Sequence, residues 1–549
     1  MFVRLVVGAA LLAVLGAGLA GKNTSPPHPL LPWHEARLDG DGRLLAWYHP
    51  ERNLGYDRVL RLGWGFFERS VPVDRRAGVK VYLAYSVIEP RSRQGQYWQH
   101  NPAFLNASLV DSLASWYAYS ADRRAIRTVR MMLDYQLANG TSPRGWKWPG
   151  VPFATSCGGD RRYGRCIYDM PKSFHGGVET DKVGLLGLGY VRFYELTGER
   201  RYLLAGIRAA DALAHHVRPG DKLRTPWPFR VDGRTGRTIA GAEYGGLVVG
   251  PIALFDELLR LRAGRLRAYA RARKLAWEWV LGYPLREGSG AFNKWSGFYE
   301  DATYNRANRN QVLPTLTAYY LLNRPNPDAV DPDWRAHVPE LLRWTRATFG
   351  RGPFFGAWGI DEGGVPGRFC CSPAGLGSDT SRWAAVSALF AAQAGDADAR
   401  EDAFRSLNYA TYFARSDGLV SCCGVRRTGE YWFSDGYGDY LRSFNWAMAA
   451  LPELAPEGRD HLLGSTSVVQ SVTYARGRVA YRTFDGRSTE VFRLSFPPAR
   501  VLANGRPLPP AGDGDGYDVA PIPGGDFEVH VRHQSSRRIQ VESSAVRAS

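Results

Sequence analysis

Lysine is nearly absent from this chain: of its 70 basic residues only eight are lysine, which leaves 62 arginines. The arginines are scattered along the sequence, so the net charge of +17 does not read as a nucleic-acid-binding stripe. A basic field still attracts polyanions, and a uronate-bearing polysaccharide is one candidate. Cysteine is sparse, at six in 549 residues. Past residue 21 no apolar run is long enough to cross a bilayer, which excludes stable membrane insertion of the chain that follows it. Also missing are a G-x-S-x-G elbow, a phosphate-binding loop, a dinucleotide fingerprint and an H-E-x-x-H motif. No organic cofactor and no metal is therefore expected. Apolar residues are not scarce: 44% hydrophobic and 13% aromatic content supports a large core and excludes a disordered chain.

The N-terminus carries processing information. Met1-Phe2-Val3-Arg4 is a short basic segment, Leu5 to Gly21 is apolar or small, and Gly18-Leu19-Ala20 resembles a small-residue cleavage pattern. Residues 1–21 read as a signal peptide, so the expected location is secreted or periplasmic. The cysteines fit an oxidising compartment. Cys157 and Cys166 flank a short Gly-rich loop and can close on each other. Neighbouring cysteines rarely bond, so Cys370-Cys371 is expected to bridge to Cys422-Cys423. A four-thiolate zinc site is the alternative, but it would favour a C-x-x-C spacing that is absent.

Apolar periodicity predicts helices in pairs: 102–118 with 123–138, 182–196 with 200–216, 247–261 with 266–281, 312–322 with 334–349, and 382–393 with 399–413. A last helix spans about 440–453, and the stretch Tyr56 to Ser70 can pair with it to make six hairpins. Links inside most pairs are short, as in Thr197-Gly198-Glu199. Links between pairs are long: 140–180, 217–246, 282–311, 350–381 and 414–439. In consecutive antiparallel hairpins all the long links emerge at one end. That end is the mouth of a ring, and loops gathered on a rigid scaffold are where binding and catalysis concentrate. From about residue 466, β-branched alternation replaces the helical pattern, as in Ser467–Tyr474 and Phe527–Val531. The expected organisation is an N-terminal extension over 22–101 with a first ring helix, a ring over 102–455, and a C-terminal antiparallel β-module over 456–549 packed on the ring's flank.

Hairpin number, one-ended long loops and the terminal β-module together resemble the six-hairpin (α/α) toroid carbohydrate enzymes, among them glycoside hydrolases, polysaccharide lyases and uronate epimerases. Leu185-x-x-Leu188-Gly189-Tyr190-x-x-Phe193-Tyr194-Glu195-Leu196-Thr197-Gly198-Glu199-Arg200-Arg201-Tyr202-Leu203 is similar to the helix–turn–helix that recurs in them. The likeness covers roughly residues 56–453 and implies a mainly α (α/α)6 toroid. It does not carry one family's catalytic motif.

Candidate catalytic residues come from the mouth loops. His175-Gly176-Gly177-Val178-Glu179-Thr180-Asp181-Lys182 puts two acids where a helix starts. Glu179 precedes the cap position and is the stronger acid/base candidate, whereas Asp181 is equally suited to capping. Loop 282–311 holds Trp295, the acidic pair Glu300-Asp301, Tyr304 and Asn305, a mixture suited to stacking on sugar faces and binding hydroxyls. Loop 414–439 holds Trp432, Asp435, Tyr437 and Asp439, the last a candidate cap. Trp227 and Arg230 lie in loop 217–246, where Arg230 can receive a substrate carboxylate or pair with a loop acid. Asp361-Glu362 and Asp379 are further mouth acids. Of 17 tryptophans, six fall in these long loops and Trp98 lies just ahead of the first helix pair, seven mouth positions that favour a sugar cleft.

These residues predict an exported glycoside hydrolase acting on a polysaccharide or oligosaccharide, with Glu179 or Asp181 facing Asp301 or Asp435 across the mouth. A lyase or uronate epimerase would instead use His175, Tyr304 or Tyr437 as base, with Arg230 and Asn305 neutralising the uronate. A non-catalytic glycan-binding protein would keep the tryptophans and have no need of the acids.

Overall fold

The computed structural model describes residues 31–75, 77–80, 87–88, 95–96, 102–154, 156–157, 160–163, 176–239, 243–245, 247–286, 309–365, 368–370, 373–420, 432–433, 435–511 and 514–544; at some positions in the short strands and at the start of the last helix only the backbone is described. Twelve α-helices occur among them. They are α1 (Leu54–Arg69), α2 (Pro102–Ser120), α3 (Arg123–Asn139), α4 (Thr180–Thr197), α5 (Arg200–His216), α6 (Val249–Arg260), α7 (Leu266–Gly282), α8 (Val312–Leu322), α9 (Trp334–Phe349), α10 (Gly377–Ala394), α11 (Ala397–Thr411) and α12 (Asp435–Ala450).

The even-numbered helices form a closed inner ring: each packs on the next, and α12 returns to α2. The odd-numbered helices form the outer layer, each against its hairpin partner, and α1 packs on α12 to complete the sixth pair. The two layers differ in sequence for a physical reason. Outer α5 buries one stripe, including Tyr202, Ala205, Ala209 and Leu213, and leaves Arg200, Arg201 and Leu204 on the exposed side. Inner α4 and α10 touch protein on nearly every side, so polar residues on them need partners inside the fold. Glycine sets the ring's closest approaches. A Cβ on Gly184 of α4 would lie 2.3 Å from the Pro251 nitrogen of α6, and one on Gly438 of α12 would lie 2.7 Å from the Leu109 nitrogen of α2.

Residues 461–542 form a sandwich of two antiparallel sheets. Its strands are β1 (His461–Ser465), β2 (Val469–Ala475), β3 (Arg478–Thr483), β4 (Ser488–Leu494), β5 (Arg500–Ala503), β6 (Arg506–Pro507), β7 (Gly516–Ile522), β8 (Asp526–His533) and β9 (Arg538–Glu542). The sheet orders are β1-β4-β8-β7 and β2-β3-β9-β5-β6. Val479, Phe492, Val501, Val529 and Ile539 fill the space between them.

The sandwich sits at the C-terminal ends of the inner helices, not on the flank as the sequence suggested. The last carbonyls of an α-helix have no partner within it, and here the sandwich supplies donors. His461 Nδ1 donates to the Tyr119 carbonyl at 2.9 Å while its ring stacks on Tyr119 at 3.8 Å. Tyr474 donates to the Ala118 carbonyl, and Gln470 Nε2 donates to the Glu195 carbonyl at 2.7 Å. Arg260 of α6 reaches Asp485 at 2.6 Å. One end of the toroid is thereby covered, and the long loops emerge at the other.

Candidate active site at the inner-helix N-termini

At the start of α4, the strand Gly177–Glu179 pairs antiparallel with Arg230–Asp232, with Glu179 directly opposite Arg230. That register puts both side chains on one face, and Arg230 Nε donates to Glu179 Oε1 at 2.6 Å. Lys182, one turn into the helix, lies 2.8 Å from Asp181 Oδ2 and 3.4 Å from Glu179 Oε2. The Phe229 ring faces both cations, 5.0 Å from Lys182 Nζ and 5.0 Å from the Arg230 guanidinium. All four charged residues are buried. Neither acid acts as a cap. Glu179 occupies the N-cap position of α4 but makes no capping hydrogen bond to its backbone, and Asp181 Oδ1 has no hydrogen-bond partner. Burial pushes the Glu179 carboxyl above its usual range, against the pull of Arg230 and Lys182.

A second cluster joins the other inner helices. Arg382 of α10 donates through Nη2 to Asp379 Oδ1 at 2.5 Å and to Gln311 Oε1 at 3.0 Å, and through Nη1 to Asp439. Asp439 also accepts from Arg442 Nε at 2.8 Å. Arg442 Nη1 lies 3.0 Å from Asp111 Oδ2 on α2, whose other oxygen meets Arg192 of α4. Charges thus alternate, Asp379, Arg382, Asp439, Arg442, Asp111, Arg192, across four inner helices, with Gln311 of a fifth at the near end. Asp439 is not the cap the sequence suggested: α12 begins a turn earlier at Asp435, and the Asp439 carboxylate is held by two guanidiniums.

Two predicted substrate contacts lie in the core. Trp227 is buried, packs on Phe255 and donates Nε1 to the Leu213 carbonyl at 2.8 Å. Tyr437 is buried with its ring stacked on Phe66 of outer helix α1 at 5.9 Å. Their faces meet helix residues, Phe255 of α6 for Trp227 and Phe66 of α1 for Tyr437, and Tyr437 lies on α12 because that helix begins earlier than the sequence suggested. Arg230 is bound to Glu179, the second of its two predicted fates. His175, Trp295, Glu300, Asp301, Tyr304 and Asn305 lie outside the described residues. Asp435 opens α12 and Trp432 pairs with Ile88 on a short strand, but their side chains are likewise outside. The cysteine side chains are outside too. The sequence reading missed Gln311, Arg382, Arg442, Asp111 and Arg192. The signal was present: single charged or amide residues within otherwise apolar helix turns, as in Leu109-Val110-Asp111 and Tyr190-Val191-Arg192.

Among the described residues no helix is long and apolar enough to cross a membrane, and no group of three His, Cys, Asp or Glu could hold a metal ion. No protein-family model matches the chain, and no curated protein matches its sequence. Solved structures do resemble it. A D-mannose isomerase aligns over 72% of this chain and 97% of its own at 10% identity, with a TM-score of 0.52. A cellobiose 2-epimerase from Spirochaeta thermophila DSM 6192 aligns over 73% and 96% at 10% identity and TM-score 0.49. One from Bacillus thermoamylovorans B4167 aligns over 71% and 97% at 8% identity and TM-score 0.49. The chain has the (α/α)6 toroid fold of carbohydrate-active enzymes, followed by a β-sandwich.

Proposed function

We propose that the chain is an exported carbohydrate-processing enzyme and, within that class, a glycoside hydrolase. The observation that carries this reading is the Glu179–Asp181 pair at the inner-helix N-terminus, a buried carboxyl raised above its usual range beside a second with an unengaged oxygen. A carboxyl whose burial favours its protonated form suits protonation of a glycosidic leaving oxygen. As the C1–O bond breaks, a second carboxylate from Asp301, Glu300 or Asp435 would activate water or attack C1. The lyase or uronate-epimerase alternative needs Arg230 free to neutralise a substrate carboxylate, and its 2.6 Å bond to Glu179 counts against that role.

The test is a polysaccharide and oligosaccharide panel on the purified mature chain, read together for reducing ends and for the ultraviolet absorbance of unsaturated uronate. Hydrolysis gives reducing ends without absorbance, and Glu179→Gln should then lose at least ~100-fold in kcat. Glutamine retains an acceptor for Arg230, so the variant's melting temperature separates lost chemistry from lost folding. Absorbance together with reducing ends would replace the hydrolase by a lyase. Export is checked separately by N-terminal sequencing of the mature protein, expected to start near residue 21.

A further inference from the structure

Gln311 occupies the N-cap position of α8 and is fully buried. Its amide orientation is fixed, because a guanidinium only donates: the atom 3.0 Å from Arg382 Nη2 must be Oε1. Nε2, with two N–H groups, therefore faces away from Arg382, and it has no hydrogen-bond partner. The residue cannot easily turn to find one. Its backbone N–H donates to the Glu362 carbonyl at 3.4 Å, and its own carbonyl accepts from Thr315 N at 3.2 Å and Thr315 Oγ1 at 2.6 Å. A buried amide donor left unpaired is unfavourable, and a rigid scaffold that holds one at the substrate end of a toroid fits a ligand acceptor.

The surrounding charges select that acceptor. Arg382 is the cation bonded to Gln311, and it is already matched by Asp379 on Nη2 and Asp439 on Nη1. It has no charge left to offer a uronate, and the two aspartates repel one. What remains is a neutral oxygen acceptor, the hydroxyl or ring oxygen of an uncharged sugar unit.

We propose that Gln311 is a specificity-determining residue, its Nε2 donating to an oxygen of a neutral sugar unit while Arg382 acts as the positioning residue that holds the amide. This inference rests on the carbohydrate-processing reading, though not on hydrolysis in particular. Two substitutions test it. Gln311→Met keeps the volume and removes the donor; Gln311→Glu keeps the acceptor for Arg382 and replaces the donor by an anion. With the best neutral substrate from the panel, KM should rise about five- to tenfold in Gln311→Met and more in Gln311→Glu, with kcat within about twofold of wild type. The wild type should also favour the neutral glycan over its uronate counterpart by at least about tenfold in kcat/KM. An unchanged KM, a loss confined to kcat and melting temperature, or a preference for the uronate would overturn the proposal. If the enzyme epimerises or isomerises its substrate, the hydrolase reading falls while the KM comparison still decides the role of Gln311. A wild-type chain that neither turns over nor binds any glycan overturns both.

Discussion

Asp439 stands between two buried guanidiniums, and removing its charge should cost far more than removing the pair it forms with Arg442. Asp439→Asn leaves Arg382 with one aspartate and Arg442 with Asp111 alone, all but Asp111 nearly inaccessible to water. Breaking a buried pair from one side costs about 3–5 kcal/mol, because the surviving charge stays desolvated. If roughly 400 residues of the toroid unfold as a unit, their unfolding entropy is near 0.8 kcal/mol per degree, so the melting temperature should fall by about 4–6 °C. Arg442→Met should fall similarly. The double variant Asp439→Leu/Arg442→Met is different. The charges alternate, so deleting the middle pair leaves Asp379 with Arg382 and Asp111 with Arg192, both intact. Replacing a whole buried pair by apolar residues is often neutral or stabilising, so the double variant should melt within about 2 °C of wild type. Circular dichroism melts of the four proteins at one pH decide it. A double variant that loses the sum of the two single losses would refute the alternating-pair account and show that the chain acts only as a whole.

Two further predictions concern the sandwich and the ring. His533 is buried with Nδ1 2.7 Å from the Gly486 carbonyl and Nε2 3.0 Å from Glu490 Oε2, so both ring nitrogens face acceptors and both must donate. Burial pulls its pKa down, but the Glu490 hydrogen bond and charge, the Gly486 carbonyl and nearby Asp515 leave it raised. Stability from this group is therefore complete below an unfolded pKa of about 6.5 and is lost as pH rises through the higher folded value. NMR titration should find the His533 midpoint above 6.5, and a midpoint below it sinks the ion-pair reading. For the ring, Gly184→Ala should destabilise by about 1–3 kcal/mol, because the new methyl meets the Pro251 backbone and the gain in helix propensity is smaller. A melting temperature equal to or above wild type would mean that α4 and α6 can separate.

The fold was legible because the signal that builds it is local. Each hairpin declares itself by apolar periodicity and a short polar link, and the observed helices begin and end within a few residues of the predicted ones, apart from the starts of α10 and α12. Both begin about one turn early, at Gly377 and Asp435, because their first turns carry Asp379 and Asp439 among glycines and serines, which look like loop in sequence. The seat of the sandwich was not legible, since it depends on which carbonyls are left open at the far end of the ring. The candidate site was half legible. Glu179, Asp181 and Arg230 were singled out as mouth residues, but the strand register that pairs Glu179 with Arg230 across 51 positions has no sequence signature. Of the Arg382 chain only Asp379 and Asp439 were singled out; Arg382, Arg442, Asp111 and Arg192 were missed because they sit within helices, where an isolated charge reads as a solvent-facing residue until the ring closes around it.

Closure of the ring also accounts for where the acids gather. Six inner helices run parallel, so their N-termini converge at one end, and each brings partial positive charge from its unpaired N–H groups. Carboxylates are favoured there, and Asp181 and Asp379 both fall in first turns of inner helices. A positive field of this kind favours negative charge and so works against a proton donor. Burial acts in the opposite direction, and for Glu179 it prevails even with Arg230 and Lys182 in contact. A toroid that concentrates helix N-termini at its mouth therefore supplies ionised carboxylates by default and needs deep burial to make one an acid. Glu179, at 1% exposure, has that burial, and an alkaline limb of the pH–rate profile that did not move in Glu179→Asp would show that another group provides the proton.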